Sequence, residues 1–297
     1  IKEKMDYIHL KEIIKDESKT VVVSIAPAVR AALGEEFGIE KGTNVEEQIV
    51  TALKLLGAKY VFDITFGADL TIMEEAMELV NRIKENKNLP QFTSCCPAWV
   101  RFVKTFYPNL VPNLSTCKSP IAMQSSVIKN IFAKQAGIKP ADLVVVAAVP
   151  CVAKKAEAKL LCLHGEYGRE TDVVVSVREL ANLIKSQNID FANLNNSEFD
   201  KPFSLGTGSG VMFGASGGVM QATVRTAYYL KTNQNPPADL IQLKPMRGYA
   251  GVKTATVQLG DETLNLCAIY GTANARKVLD KLNKFDFDFV EVMACPN

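Results

Sequence analysis

The sequence predicts an α/β protein of two lobes, each built on a mostly parallel twisted sheet flanked by helices. Three observations carry that prediction. Leu143 to Val149 is an unbroken apolar run ending in Pro150-Cys151, the pattern of a strand buried on both faces of a parallel sheet. Strand-like and helix-like segments alternate along the chain. At 297 residues, with 47% hydrophobic and 22% charged residues, the chain is long enough for two lobes.

The elements follow in order. Thr20 to Ile25 reads as the first strand, closed by Ala26-Pro27, and Val29 to Phe37 as a helix. Asn44 to Leu56 is a second helical pattern ended by Gly57, and Tyr60 to Phe62 a short buried strand. Thr71 and Glu74 form a capping-box signature for a helix with an apolar stripe at Ile72, Met73, Ala76, Met77, Val80 and Ile83. Asp172 to Val177 is a strand and Arg178 to Lys185 a helix. A glycine-rich segment, Gly206 to Gly218, precedes a helical pattern from Val219 to Leu230. Ala255 to Leu259 and Leu264 to Ile269 read as a hairpin around Gly260-Asp261, and Phe287 to Met293 as the last strand. The expected organisation is residues 1–19 as an N-terminal linker or helix, 20–150 as the first lobe and 151–297 as the second.

Several function classes are disfavoured. A net charge of +2 is too small for a nucleic-acid or acidic-membrane surface. His9 and His164, the two histidines, leave little room for a His-rich metal site. No apolar run reaches the length of a membrane span, and no signal peptide is evident. Seven cysteines at irregular spacing form no disulfide framework, which fits a reducing cytoplasm.

The cysteines carry the chemistry. In Thr93-Ser94-Cys95-Cys96-Pro97-Ala98-Trp99, adjacent side chains on an extended backbone point in opposite directions, so one cluster rarely takes both sulfurs. The pair reads as one ligand and one thiol with a second task. Cys96, Cys151 and Cys295 each lie beside a proline, the last two directly after strand signals. Strand ends are where open α/β sheets place their sites, and three thiolates suit a soft metal or an iron–sulfur cluster. Cys117, Cys162 and Cys267 lack that context and read as buried or incidental thiols.

Six ordered stretches, spread over roughly residues 20 to 297, resemble the iron-only ([FeFe]) hydrogenases. Three match the signature motifs: the Thr93 to Trp99 stretch, Pro150-Cys151-Val152-Ala153-Lys154-Lys155-Ala156-Glu157, and Glu291-Val292-Met293-Ala294-Cys295. The supporting three are Ile25 to Arg30, Ala68 to Glu75 and Phe213 to Met220.

The resemblance implies a catalytic domain with its active site in the cleft between the lobes. It implies a 4Fe-4S cluster joined to a diiron subsite carrying CO, CN⁻ and a bridging dithiolate amine, together the H-cluster. By motif position Cys96, Cys151 and Cys295 are similar to the first three cluster ligands. The family's fourth cysteine would fall beyond Asn297, so the chain is expected to be part of a longer protein. Cys95 matches the proton-delivering thiol, served by Glu75, Glu78, Arg82 and Ser115. The two glutamates and the arginine recur at spacings of three and four and share one helix face, a row that alone would read as solvated. Lys154 is the implied donor to a cyanide ligand, while Ala26, Pro27, Pro150, Phe213, Gly214 and Met293 are implied to line or cap the cofactor. The glycine-rich loop lacks the Gly-Lys-Ser/Thr ending of a phosphate-binding loop.

Ala98, Val149, Ile121 and Ala28 depart from the commonest family pattern. Val149 and Ile121 make the cofactor surroundings drier, which marks a divergent subgroup. No further ferredoxin-type cysteine pattern occurs, so electrons are expected from a ferredoxin-like carrier or a missing N-terminal ferredoxin domain, and the diiron unit from maturation proteins. The implied reaction is reversible reduction of protons to H₂. The alternatives are a hydrogenase-like iron–sulfur scaffold in cluster assembly, a sensory hydrogenase without significant turnover, and an α/β domain with incidental cysteines.

Overall fold

The structure is a computed structural model and describes residues 4–295. Its strands are β1 (Thr20–Ile25), β2 (Tyr60–Asp63), β3 (Gln91–Phe92), β4 (Leu143–Val149), β5 (His164–Gly165), β6 (Gly168–Arg169), β7 (Val173–Ser176), β8 (Lys244–Pro245), β9 (Val252–Leu259), β10 (Glu262–Tyr270) and β11 (Phe289–Met293). The chain divides into two compact units, each assembled from two stretches. The first comprises residues up to 68 and 120–207; the second comprises 69–119 and 208 onward. Residue 150, where the sequence pattern suggests a change of lobe, lies inside the first unit.

The first unit carries a four-stranded sheet in the order β2-β1-β4-β7, parallel throughout. Its apolar runs bury both faces, as a parallel sheet with helices on each side requires. Along β1, Val21, Val23 and Ile25 join one core with the Glu46–Leu56 and Val177–Lys185 helices, while Val22 joins another with Phe62, Ile128 and Phe132. β4 alternates the same way, with Val146 and Ala148 on one side and Val145, Ala147 and Val149 on the other. The side-chain period of two is what splits one apolar run between two cores. Ser176 caps the Val177–Lys185 helix through a capping box with Glu179. Glu179 also accepts the Asp6 N–H at 2.7 Å, and Lys155 Nζ bonds both acids, docking the Asp6–Ile14 helix.

The second unit carries a five-stranded sheet, β3-β11-β10-β9-β8. Here the expectation of a mostly parallel sheet is corrected. β3, β11 and β10 run parallel, but β10-β9 and β9-β8 are antiparallel. The cause is local: β9 and β10 are joined by a two-residue turn with Gly260 at φ 66°, and so short a link can join only antiparallel neighbours. Leu264, Leu266, Ala268 and Phe289 face a core shared with the Gly218–Thr232 helix. Cys267, Ile269, Val290 and Val292 face another, shared with Trp99.

One helix departs from its predicted start and face. It begins at Thr65 and runs to Glu85, so Thr71 lies inside it and its hydroxyl donates to the Lys118 carbonyl at 3.1 Å instead of capping. Met73 and Met77, expected in the core, are exposed, while Glu75 and Arg82 are buried. The inward face is Ala68, Ile72, Glu75, Ala76, Leu79 and Arg82. It is turned by roughly one residue step, ~100°, from the stripe read in the sequence.

Candidate functional site

Parallel strands end together, so the residues that follow them gather at one sheet edge. In the first unit β1 and β4 are in register from Thr20/Leu143 to Ile25/Ala148. Ala26 and Pro27 therefore leave the sheet beside Pro150 and Cys151, and the Ala26 N–H still donates to the Ala148 carbonyl at 3.0 Å. Cys151 is partly buried there. Three residues on, Lys154 starts a short helix, and its Nζ pairs with both carboxylate oxygens of Glu157 at 3.0 and 2.8 Å. Ile121 and Val149, the expected drying substitutions, pack into one apolar cluster with Ile64, Ala147 and Val174.

The second unit repeats this arrangement. β3 and β11 are parallel neighbours, with Val290 opposite Phe92. Thr93-Ser94-Cys95-Cys96 follows the first and Ala294-Cys295 the second. Thr93 extends the pairing: its N–H donates to the Val290 carbonyl at 3.0 Å, and its hydroxyl accepts the Val292 N–H at 3.2 Å. Trp99, fully buried, donates its indole N–H to the Thr93 carbonyl at 3.0 Å. Cys96 is the extended residue preceding the Pro97–Phe106 helix, whose proline at the first position needs no N–H partner. Cys95 and Cys96 are partly buried and Cys295 is exposed. Met293 pairs with Tyr270 at the end of β11, and Phe213 and Gly214 lie between the Gly208–Met212 and Gly218–Thr232 helices.

Among the described residues no three His, Cys, Asp or Glu side chains stand together as a metal site. Cys151 belongs to the first unit, and Cys96 and Cys295 to the second. The donor chemistry nonetheless fits an iron–sulfur group. All three are thiols at the carboxyl ends of strands, and thiolates are the ligands such clusters take.

The row Glu75, Glu78, Arg82 and Ser115 is brought together within the second unit, with Glu75, Arg82 and Ser115 buried and Glu78 half-buried where the sequence alone suggests a solvated face. Ser115 Oγ donates to Glu78 Oε2 at 2.8 Å, and Arg82 Nη2 donates to Glu78 Oε1 at 2.7 Å. Arg82 also donates to the carbonyls of Asn88, Asn113 and Leu114, so it clamps the segment that presents Ser115. Two partners of Glu78 are invisible to sequence reasoning. The Thr116 N–H and hydroxyl both reach its carboxylate, and Cys117 Sγ donates to Oε2 at 3.6 Å. Cys117, which the sequence presents as incidental, is part of this cluster; only its place two residues after Ser115 could have pointed to it. Ser94 Oγ donates to the Cys117 carbonyl at 3.1 Å, tying the Cys95 loop to the same segment.

Electrostatics separates the two glutamates. Burial pushes the Glu75 carboxyl up to about 8, reinforced by the charges of Glu78 and Glu291 and only partly offset by Ser115 and Thr223. Burial also acts on Glu78, but Ser115, Arg82 and the Thr116 N–H outweigh it and hold that carboxyl below its ordinary value. Burial pushes the Cys117 thiol up to about 12, so it stays a proton donor to Glu78.

Glu291 enters the sequence reading only as part of a motif. Buried on β11, it accepts the Gly217 and Met220 N–H groups at 2.7 Å each. Burial pushes it up to about 7 against those donors. Its carboxyl fills the N-terminus of the Gly218–Thr232 helix, the place a phosphate would need, so the glycine-rich segment is not a phosphate loop.

Known proteins match this arrangement. The profile of the family described as "Iron only hydrogenase large subunit, C-terminal domain" matches residues 19–297. Iron hydrogenase 1 of Clostridium pasteurianum is 40% identical over 297 residues, covering 99% of this chain and 51% of that protein. A cytosolic Fe-S cluster assembly factor, narfl, of Danio rerio is 30% identical over 301 residues, covering 97% of this chain and 72% of that protein. The chain spans about half the length of the curated hydrogenases it matches first. Among solved structures, a variant of apo [FeFe]-hydrogenase HydA1 from Chlamydomonas reinhardtii superimposes with a TM-score of 0.84 at 36% identity, covering 97% of this chain and 82% of that one. With its strand-end cysteines, its buried glutamate row and these relatives, the chain belongs to the iron-only hydrogenase family and represents its catalytic domain.

Proposed function

We propose that this domain catalyses the reversible reduction of two protons by two electrons to H₂. The observation that carries the reading is the Glu75–Glu78–Ser115–Arg82 row, with Glu75 fully buried, tied to the Cys95 loop. A domain serving only as an iron–sulfur scaffold has no use for a protonatable carboxyl held in its interior.

The cofactor this reading implies is the H-cluster, with Cys96, Cys151 and Cys295 as ligands of its four-iron part. Ala26, Pro27, Pro150, Phe213, Gly214 and Met293 would surround the diiron part. When bound, that group supplies the redox chemistry and the hydrogen-forming iron. Lys154 presents a cation where an anionic ligand is to be held, and Glu157 keeps the ammonium in place until then. Glu78, fixed as an anion by Arg82 and Ser115, passes protons without storing them. Glu75 keeps its proton up to about pH 8 and therefore has one to give at neutral pH. Cys95 is the last carrier, a thiol that takes a proton from the row and delivers it to the cofactor. The proposed electron source is a ferredoxin-like carrier or domain, the diiron part comes from maturation proteins, and the setting is cytoplasmic. No helix among the described residues is long and apolar enough to cross a membrane.

Infrared spectroscopy of the full-length protein loaded with the diiron cofactor tests this. CO and CN⁻ bands with H₂ evolution are expected, and Cys95→Ala should retain the bands while losing turnover. Iron binding without such bands, and without H₂, would instead identify a cluster-assembly scaffold.

A further inference from the structure

The Pro97–Phe106 helix, which Cys96 precedes, carries an aromatic row from the core to the surface, all within the second unit. Trp99, the one tryptophan of the chain, lies three residues after Cys96 and is fully buried. Cys96 packs against the core cluster to which Trp99 belongs. Spacings of three and four put Trp99, Phe102 and Phe106 on one helix face. Trp99 stacks on Phe102 with ring centroids 6.1 Å apart and planes 25° from parallel. Phe102 in turn lies 5.8 Å from the ring of Tyr107, the half-buried residue that ends the helix. Both separations are those of rings in contact. The row stops at a proton acceptor on the surface: the Tyr107 hydroxyl donates to Asp280 Oδ1 at 2.5 Å.

We propose that Trp99 and Tyr107 form an outlet for oxidising equivalents, through which a strong one-electron oxidant arising at the Cys96 end of the helix is discharged at the surface. Tryptophan and tyrosine are the aromatic side chains that lose an electron most readily. Phenylalanine does not, but Phe102 touches both rings and couples them. Trp99 gives one electron to the oxidant and becomes a radical cation. Its indole N–H donates to the Thr93 carbonyl at 3.0 Å, an acceptor too weakly basic to take the proton, so the charge stays mobile. Tyr107 then gives one electron to Trp99 through Phe102 and its phenolic proton to Asp280. Neutral Trp99, a neutral tyrosyl radical and a protonated Asp280 result. A thiol reductant in solution returns the electron, and Asp280 returns the proton. The Arg276 guanidinium closes the side branch. It lies 5.3 Å from the Phe102 ring and 4.8 Å from the Phe106 ring, where it disfavours positive charge on either. Burial and the Asp280 carboxylate push the Tyr107 phenol up to about 12, so it keeps its proton until it is oxidised.

The inference rests on the reading that Cys96 holds iron only for the source of the oxidant, which is dioxygen meeting reduced iron. The path itself is tested without iron, by pulsed ultraviolet photoionisation of the full-length apoprotein. The Trp99 signal is assigned by its loss in Trp99→Phe. Time-resolved absorption and electron paramagnetic resonance should show the tryptophan radical giving way to a tyrosyl radical. Tyr107→Phe keeps the ring and should lose the tyrosyl signal, with a longer-lived tryptophan radical. Asp280→Asn should slow the tyrosyl rise ~10²-fold, the lower end of what a positioned proton carrier contributes. In the loaded enzyme, Tyr107→Phe should leave H₂ turnover unchanged under anaerobic conditions and lose its CO and CN⁻ bands faster than the wild type under dioxygen. A tryptophan radical that decays alike in the wild type and Tyr107→Phe overturns the path. Equal loss of bands in the two overturns its protective use. A wild type that never shows CO and CN⁻ bands overturns the hydrogenase reading, and the photoionisation result stands apart from it.

Discussion

Glu75 and Glu78 sit three residues apart on one helix, yet their environments drive them in opposite directions. The pair differs in partners: Glu78 receives a guanidinium, two hydroxyls and an N–H, while Glu75 receives little beyond burial. A carboxyl raised in the folded state keeps a proton that the unfolded chain has lost. Its effect is therefore a loss of stability as pH rises from the ordinary carboxyl value, near 4.5, to about 8, with no further change above. Glu75→Gln removes that dependence, which amounts to ~1.4 kcal/mol for each pH unit by which the carboxyl is raised. The variant should melt higher than the wild type at pH 8 and by a smaller margin at pH 5, as calorimetry at the two pH values would show. Its H₂ turnover should fall ~10²- to 10⁴-fold, the usual contribution of a positioned proton carrier. Ser115→Ala removes one of the groups holding Glu78 down. That carboxyl should then titrate at higher pH, with turnover reduced and CO and CN⁻ bands unchanged in the loaded enzyme.

At the scale of elements, the helices are placed by close approaches. Gly67 is one. A Cβ there would come within 2.3 Å of the Pro120 carbonyl oxygen and 2.9 Å of Gln124 Cβ, where the Thr65–Glu85 and Pro120–Val127 helices meet. Backbone cannot retreat as a flexible side chain can, so Gly67→Ala should destabilise strongly, by an overpacking cost of ~1–3 kcal/mol or more. Denaturant unfolding measures it. Ser176→Ala breaks the capping box of the Val177–Lys185 helix and should cost ~1 kcal/mol, with no effect on the Glu75 row. The same scale explains the Thr65–Glu85 helix. Its sequence offers two candidate faces, an apolar one with Met73 and Met77 and a polar one with Glu75 and Arg82. Neighbouring elements chose the face centred near Leu79, because Arg82 could meet three carbonyls there and Glu78 could meet Ser115 and Thr116. Satisfied polar groups can be buried, and hydrophobic periodicity takes no account of their satisfaction.

Over the whole molecule, the two compact units are each assembled from two stretches of chain, and the implied cluster ligands are divided between them. All three leave the carboxyl ends of strands and stand outside the apolar cores, except that Cys96 packs against one edge. Cys151→Ser and Cys96→Ser should therefore reduce iron content in the loaded protein while leaving the far-ultraviolet circular dichroism unchanged. A melting point lowered equally with and without iron would assign these cysteines to packing instead.

The sequence by itself determined the longer strands, because runs such as Leu143–Val149 bury both faces wherever they pair; the two-residue strands β3, β5, β6 and β8 are too short to leave a pattern. It also determined the motif cysteines and the family, since those rest on residue identity and order. Only the tertiary structure decided that the second sheet is mixed, that Met73 and Met77 face outward, that Cys117 and Thr116 grip Glu78, and that Thr223 stands beside Glu75. Those facts depend on which residues distant in sequence fill the space around a side chain. A polar group's fate, solvated or buried, is set by the partners it finds there.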